Sequence, residues 1–162
     1  MSARLLVVCL GNHCRSPLGA AALARHGART RSAGLRDRRV GRPAHPDMVT
    51  AAADLGYDLA DHRGVQVTAD LVAWADTVLA MDQAVLDELA TGTDPDQHHK
   101  LRLYLPGRDV PDPWGRPPHV FADVARLIDT WAAEAYPAAS RSTSTSRSAA
   151  SGRPSARARS AT

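Results

Sequence analysis

Apolar residues occur in short runs separated by polar, glycine-bearing stretches, and the runs follow two different periods. Leu5-Leu6-Val7-Val8 is continuous and ends at a glycine-containing loop, the pattern of a strand buried on both faces. Ser16-Pro17 predicts a helix start, with Ser16 as the hydroxyl cap and Pro17 as the first helical residue. That helix runs to about His26 and is closed by Gly27. Thr30 to Ala33 predicts a short second strand. Met48, Ala52 and Leu55 share one face of a helix opened by Pro46 and closed by Gly56. Thr77 to Met81 reads as a third buried strand, Val85, Leu86 and Leu89 mark the helix after it, and Leu101 to Leu105 is the last strand. Phe121, Val124, Ile128, Trp131 and Ala135 lie at helical spacing and predict a final packed helix. Strands alternating with helices imply an α/β fold, an open four-stranded parallel sheet with helices on both faces. Such sheets bind ligands at the carboxyl ends of their strands, where the loop starting at Cys9 falls. No internal repeat is present.

Composition changes this picture mainly at the end of the chain. Residues 1–137 form the expected folded domain. Residues 138–162 are rich in Ser, Arg, Thr and Ala and bury too little apolar surface to offset their ordering entropy, so a disordered tail is expected. That tail is either an electrostatic or modified regulatory arm or a dispensable extension. It carries Arg141, Arg147, Arg153, Arg157 and Arg159 and no acidic residue. Without those five, fifteen basic residues face seventeen acidic ones, so the high pI belongs to the tail and the body is not expected to bind nucleic acid. No apolar run approaches the roughly 20 residues of a membrane span. The short apolar stretch at the start leads into Gly11-Asn12-His13 rather than a cleavage site, so a cytoplasmic protein is expected. Cys9 and Cys14 are too few and too close for a secreted disulfide framework, and no metal-ligand spacing accompanies them.

The chemistry concentrates in Val8-Cys9-Leu10-Gly11-Asn12-His13-Cys14-Arg15-Ser16-Pro17. A strand ends, the chain turns tightly at Gly11, and a helix begins. Backbone N–H groups in such a turn point inward as an anion nest, and the helix N-terminus adds positive partial charge. A thiol held beside a helix N-terminus and a guanidinium is a nucleophile at neutral pH, which is the role Cys9 could take. The planar fork of Arg15 matches two phosphate oxygens. No Gly-Lys-Ser/Thr occurs, and Lys100 is the sole lysine, which argues against an ATPase.

The same string resembles the signature of the low-molecular-weight protein tyrosine phosphatases. The likeness continues through Ser32-Ala33-Gly34, Asp76-Thr-Val-Leu-Ala-Met-Asp82 and Asp112-Pro113-Trp114, and covers roughly residues 4 to 136. It implies a flavodoxin-like fold and metal-free hydrolysis of phosphate monoesters through a cysteinyl phosphate, with no cofactor. The expected substrate is phosphotyrosine in a protein, and a monomer is expected. By resemblance Cys9 is the nucleophile, Arg15 the phosphate clamp and Asp112 the general acid. Asp109 competes for the last role but lacks the following proline and aromatic. Leu10, Gly11, Asn12, His13, Cys14, Ser16 and Trp114 are the matching substrate-site residues. Ser16 would hydrogen-bond the cysteine sulfur, Asn12 would brace the loop, Cys14 could trap Cys9 in a reversible disulfide, and Trp114 would flank the pocket mouth.

Four places depart from that pattern. His13 stands where the tyrosine phosphatases usually carry an apolar residue and the related phosphoarginine phosphatases threonine. Arg38 falls about where a pocket tryptophan is usual. His45 and Asp47 replace an Asp and an Arg, and Val85 sits where asparagine is common. These leave the reaction type intact and bear on substrate choice, so phosphoarginine or a small, more acidic metabolite phosphate is an alternative. An arsenate reductase shares the loop, but the thioredoxin-coupled form needs a further cysteine pair and none follows Cys14. A non-catalytic phosphate-binding protein would be marked by a lost Cys, Arg or Asp, and all three are present.

Overall fold

The computed structural model describes residues 2–136, and the basic tail expected from residue 138 onward lies outside them. Four parallel strands, β1 (Arg4–Cys9), β2 (Arg29–Gly34), β3 (Thr77–Ala80) and β4 (Leu101–Leu103), form one sheet in the order β2-β1-β3-β4. Among the described residues five α-helices accompany them: α1 (Arg15–Arg25), α2 (Pro46–Asp54), α3 (Ala69–Trp74), α4 (Gln83–Gly92) and α5 (Pro118–Ala135). Alternation along β1 divides the interior in two. Leu5, Val7 and Cys9 face a core with Leu18 and Leu23 of α1, Met48 of α2 and Phe121 and Ile128 of α5. Leu6 and Val8 face the second core, with Val72 of α3 and Val85 and Leu89 of α4. The continuous apolar run of β1 is thus accounted for, because both its faces are covered. Leu6, Val7 and Val8 are fully buried, and each such side chain contributes about 1.5–3 kcal/mol.

The expected α/β architecture is present, and the differences from expectation have local causes. Ser16 is not the helix cap: α1 begins at Arg15 behind Cys14, with no side-chain cap hydrogen bond. Its hydroxyl is engaged by the loop instead, which leaves the first-turn N–H groups open toward an anion. The last strand stops at Leu103. Tyr104 and Leu105 are both buried, and two successive buried side chains break the alternation of a strand with one covered face. Tyr104 turns into the larger core and donates its hydroxyl to the Ile128 carbonyl at 2.7 Å. Helix α3 was not legible in the apolar pattern, because six residues are too few to display a helical period; Thr68 caps it by accepting the Leu71 N–H at 3.2 Å.

The chain leaves β1 toward β2 on one side and crosses back to β3 on the other. Connections therefore diverge at the carboxyl ends of β1 and β3, which opens a crevice there.

Candidate active site

Cys9 is the last residue of β1, and its side chain is 3% exposed at the base of that crevice. The loop from Leu10 to Cys14 wraps its sulfur. The Asn12 N–H donates to Cys9 Sγ at 3.2 Å, and the Ser16 hydroxyl lies 3.0 Å from it. Asn12, not Gly11, adopts the left-handed conformation that reverses the chain, with φ 53°. Asparagine tolerates this region because its short amide finds local partners. Here Asn12 Nδ2 donates to Ser16 Oγ at 2.8 Å and Ser32 Oγ at 2.9 Å, and Oδ1 accepts the Val65 N–H at 2.9 Å. The loop is therefore bolted to α1, β2 and the segment before α3 through one side chain. Gly34 lets it lie that close: a Cβ there would stand 2.7 Å from the Gly11 carbonyl carbon and 2.8 Å from the Asn12 nitrogen.

Arg15 is buried to 3% exposure, which is costly for a guanidinium unless it is paired. Its Nη1 donates to Asp82 Oδ2 at 2.8 Å and to the Val110 carbonyl at 2.9 Å. Its Nη2 stands 3.8 Å from Asp112 Oδ2. Asp82 holds two elements together, since its Oδ1 caps α4 through the Val85 N–H at 2.8 Å. Asp112 sits on the exposed loop before α5, in a turn closed by the Trp114 N–H donating to its Oδ1 at 3.1 Å. Asp109 is engaged elsewhere, accepting the Gln83 N–H at 2.8 Å.

A cavity of about 390 Å³ lies above the sulfur. Cys9, Leu10, Gly11, His13, Cys14 and Arg15 form its floor and near wall, with Asp112 and Trp114 opposite. Every one of these was expected in the site, whereas Asn12 and Ser16 brace the loop from behind. Three arginines, Arg36, Arg38 and Arg39, complete the wall. Trp114 is 61% exposed at the rim. Burial, then the neighbouring Cys9, push the Cys14 thiol up to about 12, so it stays protonated at neutral pH.

Residues 4–142 match the model of the low molecular weight phosphotyrosine protein phosphatases. The chain belongs to that family. It is 32% identical over 137 residues to the low molecular weight protein-tyrosine-phosphatase Etp of Escherichia coli K12, covering 79% of this chain and 91% of Etp. Among solved structures, Vibrio vulnificus Wzb in complex with benzylphosphonate superposes with a TM-score of 0.79 at 27% identity, covering 85% of this chain and 99% of that one. The YwlE arginine phosphatase of Geobacillus stearothermophilus superposes with a TM-score of 0.75 at 26% identity, covering 93% and 99%. Membership makes the protein a cysteine-dependent phosphatase acting on a phosphorylated substrate. Among the described residues no helix is long and apolar enough to cross a membrane.

Two of the four departures from the family pattern lie in the pocket and two do not. His13 and Arg38 line it. His45 caps α2, its Nδ1 accepting the Asp47 N–H at 3.0 Å, and stacks on Phe121; Val85 is buried in the second core. Sequence reasoning missed Asp82, although it ends the family-like stretch from Asp76, because nothing along the chain says which cation it meets. It also missed His62, whose Nε2 lies 2.9 Å from the Asn12 carbonyl and must donate to it.

Burial holds His62 below the usual histidine value, and burial together with Arg39 and His45 does the same to His13. The Pro43 carbonyl pulls His13 the other way without completing a hydrogen bond to its Nδ1. Both imidazoles take up protons more readily in the unfolded chain than in the folded one. Stability present at pH 7 is therefore lost as pH falls through 6.5, the ordinary histidine value. The thermal midpoint is expected to drop between pH 7 and pH 5, and to drop less in His62→Gln, which keeps an N–H donor but cannot titrate. Equal pH slopes in the two proteins would exclude His62 as a source of the effect.

Proposed function

We propose that the protein hydrolyses phosphotyrosine in two steps, with Cys9 as nucleophile, Arg15 as phosphate clamp and Asp112 as general acid and base. The observation that carries this reading is the placement of three groups around one cavity. A sulfur enclosed by N–H and O–H groups forms the floor, the free edge of the Arg15 guanidinium forms one side, and the Asp112 carboxyl stands 3.8 Å from that edge. In the first step the Cys9 thiolate forms a bond to phosphorus as the bond to the leaving oxygen breaks, and Asp112 in its acid form gives that oxygen its proton. In the second step the resulting Asp112 carboxylate takes a proton from water, whose oxygen attacks phosphorus. The S–P bond then breaks and phosphate departs. Ser16 donates to the sulfur as negative charge returns to it, easing its departure. Loop N–H groups, the α1 terminus and Arg15 stabilise the equatorial oxygens throughout.

A substrate must reach a sulfur at the base of the cavity while its leaving group stays beside Asp112. An aryl ring is long and flat enough, and Trp114 and Leu10 are exposed apolar walls against which it can rest. Phosphoarginine fits this wall less well, because its own guanidinium would meet Arg36, Arg38 and Arg39.

The test is Asp112→Asn assayed against two leaving groups. The ratio kcat/KM reports only the first step, formation of the cysteinyl phosphate, and leaves out the hydrolysis common to both esters. A phenolate as basic as that of tyrosine needs the proton, so kcat/KM on phosphotyrosine is expected to fall by about 10²–10⁴-fold. 2,4-Dinitrophenolate leaves without help, so kcat/KM on its phosphate ester should fall far less. Equal losses on both esters would assign the proton to another group.

A further inference from the structure

The loop that follows β2 carries Arg36, Arg38, Arg39 and Arg42 around a single acid, Asp37. Its position relative to the nucleophile is fixed by backbone hydrogen bonds. The Leu35 N–H donates to the Cys9 carbonyl at 3.1 Å and the Arg36 N–H to the Leu10 carbonyl at 2.9 Å. Farther along, the Gly41 N–H donates to the Gly64 carbonyl at 2.8 Å and the Gly64 N–H to the Arg42 carbonyl at 2.9 Å. A Cβ on Gly64 would lie 2.1 Å from the Arg39 carbonyl oxygen, so this closeness depends on glycine.

The three arginines on the cavity wall differ in what they have to bind. Arg36 is taken up by a two-pronged pair with Glu88, one prong at 3.0 Å. Arg38 and Arg39 have no carboxylate within ion-pair distance among the described residues, and residues 137–162 contain no Asp or Glu. Beside Arg39, His13 presents a buried Nδ1 without a hydrogen-bond partner. The phosphoryl group does not account for these cations, because the loop N–H groups and Arg15 already meet its charge. Two guanidiniums at the mouth are left for a second anionic group.

We propose that Arg38 and Arg39 receive acidic side chains flanking the phosphotyrosine, so that the enzyme selects phosphotyrosine in an acidic peptide. This rests on the phosphotyrosine reading above. A peptide suits the site better than a small ester with two phosphates for two reasons. Arg38 is exposed to solvent although it lines the cavity, and exposed Trp114 and Leu10 line it too. A chain crossing the mouth can touch all three while its phosphotyrosine reaches down to Cys9.

The experiment compares phosphotyrosine peptides of equal length flanked by Asp and Glu or by Ala and Gln, with the native protein and with Arg38→Ala/Arg39→Ala. The readout is the ratio of kcat/KM on the acidic peptide to that on the neutral one, so a general change in activity cancels. The native ratio is expected to be about tenfold at low salt and to shrink as salt screens the rim charges. In the double variant it should fall toward one. A native ratio near one, or an undiminished ratio in the variant, would overturn the proposal. So would preference for a bisphosphorylated small ester over both peptides, lost with the same two arginines. If the native protein turns over neither peptide nor p-nitrophenyl phosphate, the phosphatase reading itself fails, which is a distinct result.

Discussion

Cys9→Ser is expected to lower kcat on p-nitrophenyl phosphate by about 10⁴-fold or more while leaving the protein folded and able to bind orthovanadate. The size follows from the site. Serine keeps a hydroxyl near Ser16 Oγ and the Asn12 N–H, which stand 3.0 and 3.2 Å from the present sulfur. Neither contact makes an alkoxide accessible near pH 7, and Asp112, which must hold a proton for the leaving group in the first step, is not available to take the hydroxyl proton. Binding should survive because it depends on groups the substitution leaves alone: loop N–H groups, the helix terminus and Arg15. Rapid-quench or steady-state turnover measures the loss, and circular dichroism shows that the fold persists. Native-like turnover in Cys9→Ser would end the covalent mechanism.

Arg15→Lys is the second large effect, although it preserves charge. Kinetics should show kcat/KM falling about 10²–10⁴-fold, with orthovanadate inhibition weakened in parallel. One guanidinium edge is committed to Asp82 and the Val110 carbonyl, at 2.8 and 2.9 Å, and the other faces the cavity. A lysine ammonium is a single point and cannot hold both. If it stays with Asp82 the phosphate loses its clamp, and if it turns to the phosphate a half-buried carboxylate loses its partner. The second outcome also costs stability, so the thermal midpoint separates the two. Activity within tenfold of native would show that the fork geometry is not used.

The fold was largely legible because its signals are local. A run such as Leu5 to Val8 can be satisfied only by a strand covered on both faces, and Phe121, Val124 and Ile128 can share a face only in a helix. Where burial changed within a few residues, as at Tyr104 and Leu105, the pattern was read one step too far. Two roles are expected of Ser16, and they fare differently. A hydroxyl before a proline satisfies the local rule for a cap, which the fold does not use, whereas the contact to the sulfur implied by the family likeness is present; only the folded loop shows Asn12 meeting the same oxygen.

The nine residues from Cys9 to Pro17 carried the nest, the nucleophile and the clamp, because strand, turn and helix terminus follow one another and all their geometry is short-range. Asp112 and Trp114 were reachable only through family likeness, since nothing along the chain says that a turn one hundred residues away closes over Cys9. Tertiary structure alone decided what surrounds that loop. It pairs Arg15 with Asp82, sets His62 against the Asn12 carbonyl, makes Gly34 indispensable to the loop's approach, and separates Arg38 at the pocket wall from Val85 in the core. The reason is physical: these relations run between residues tens of positions apart, and crossovers of a parallel sheet, not neighbouring side chains, bring them together.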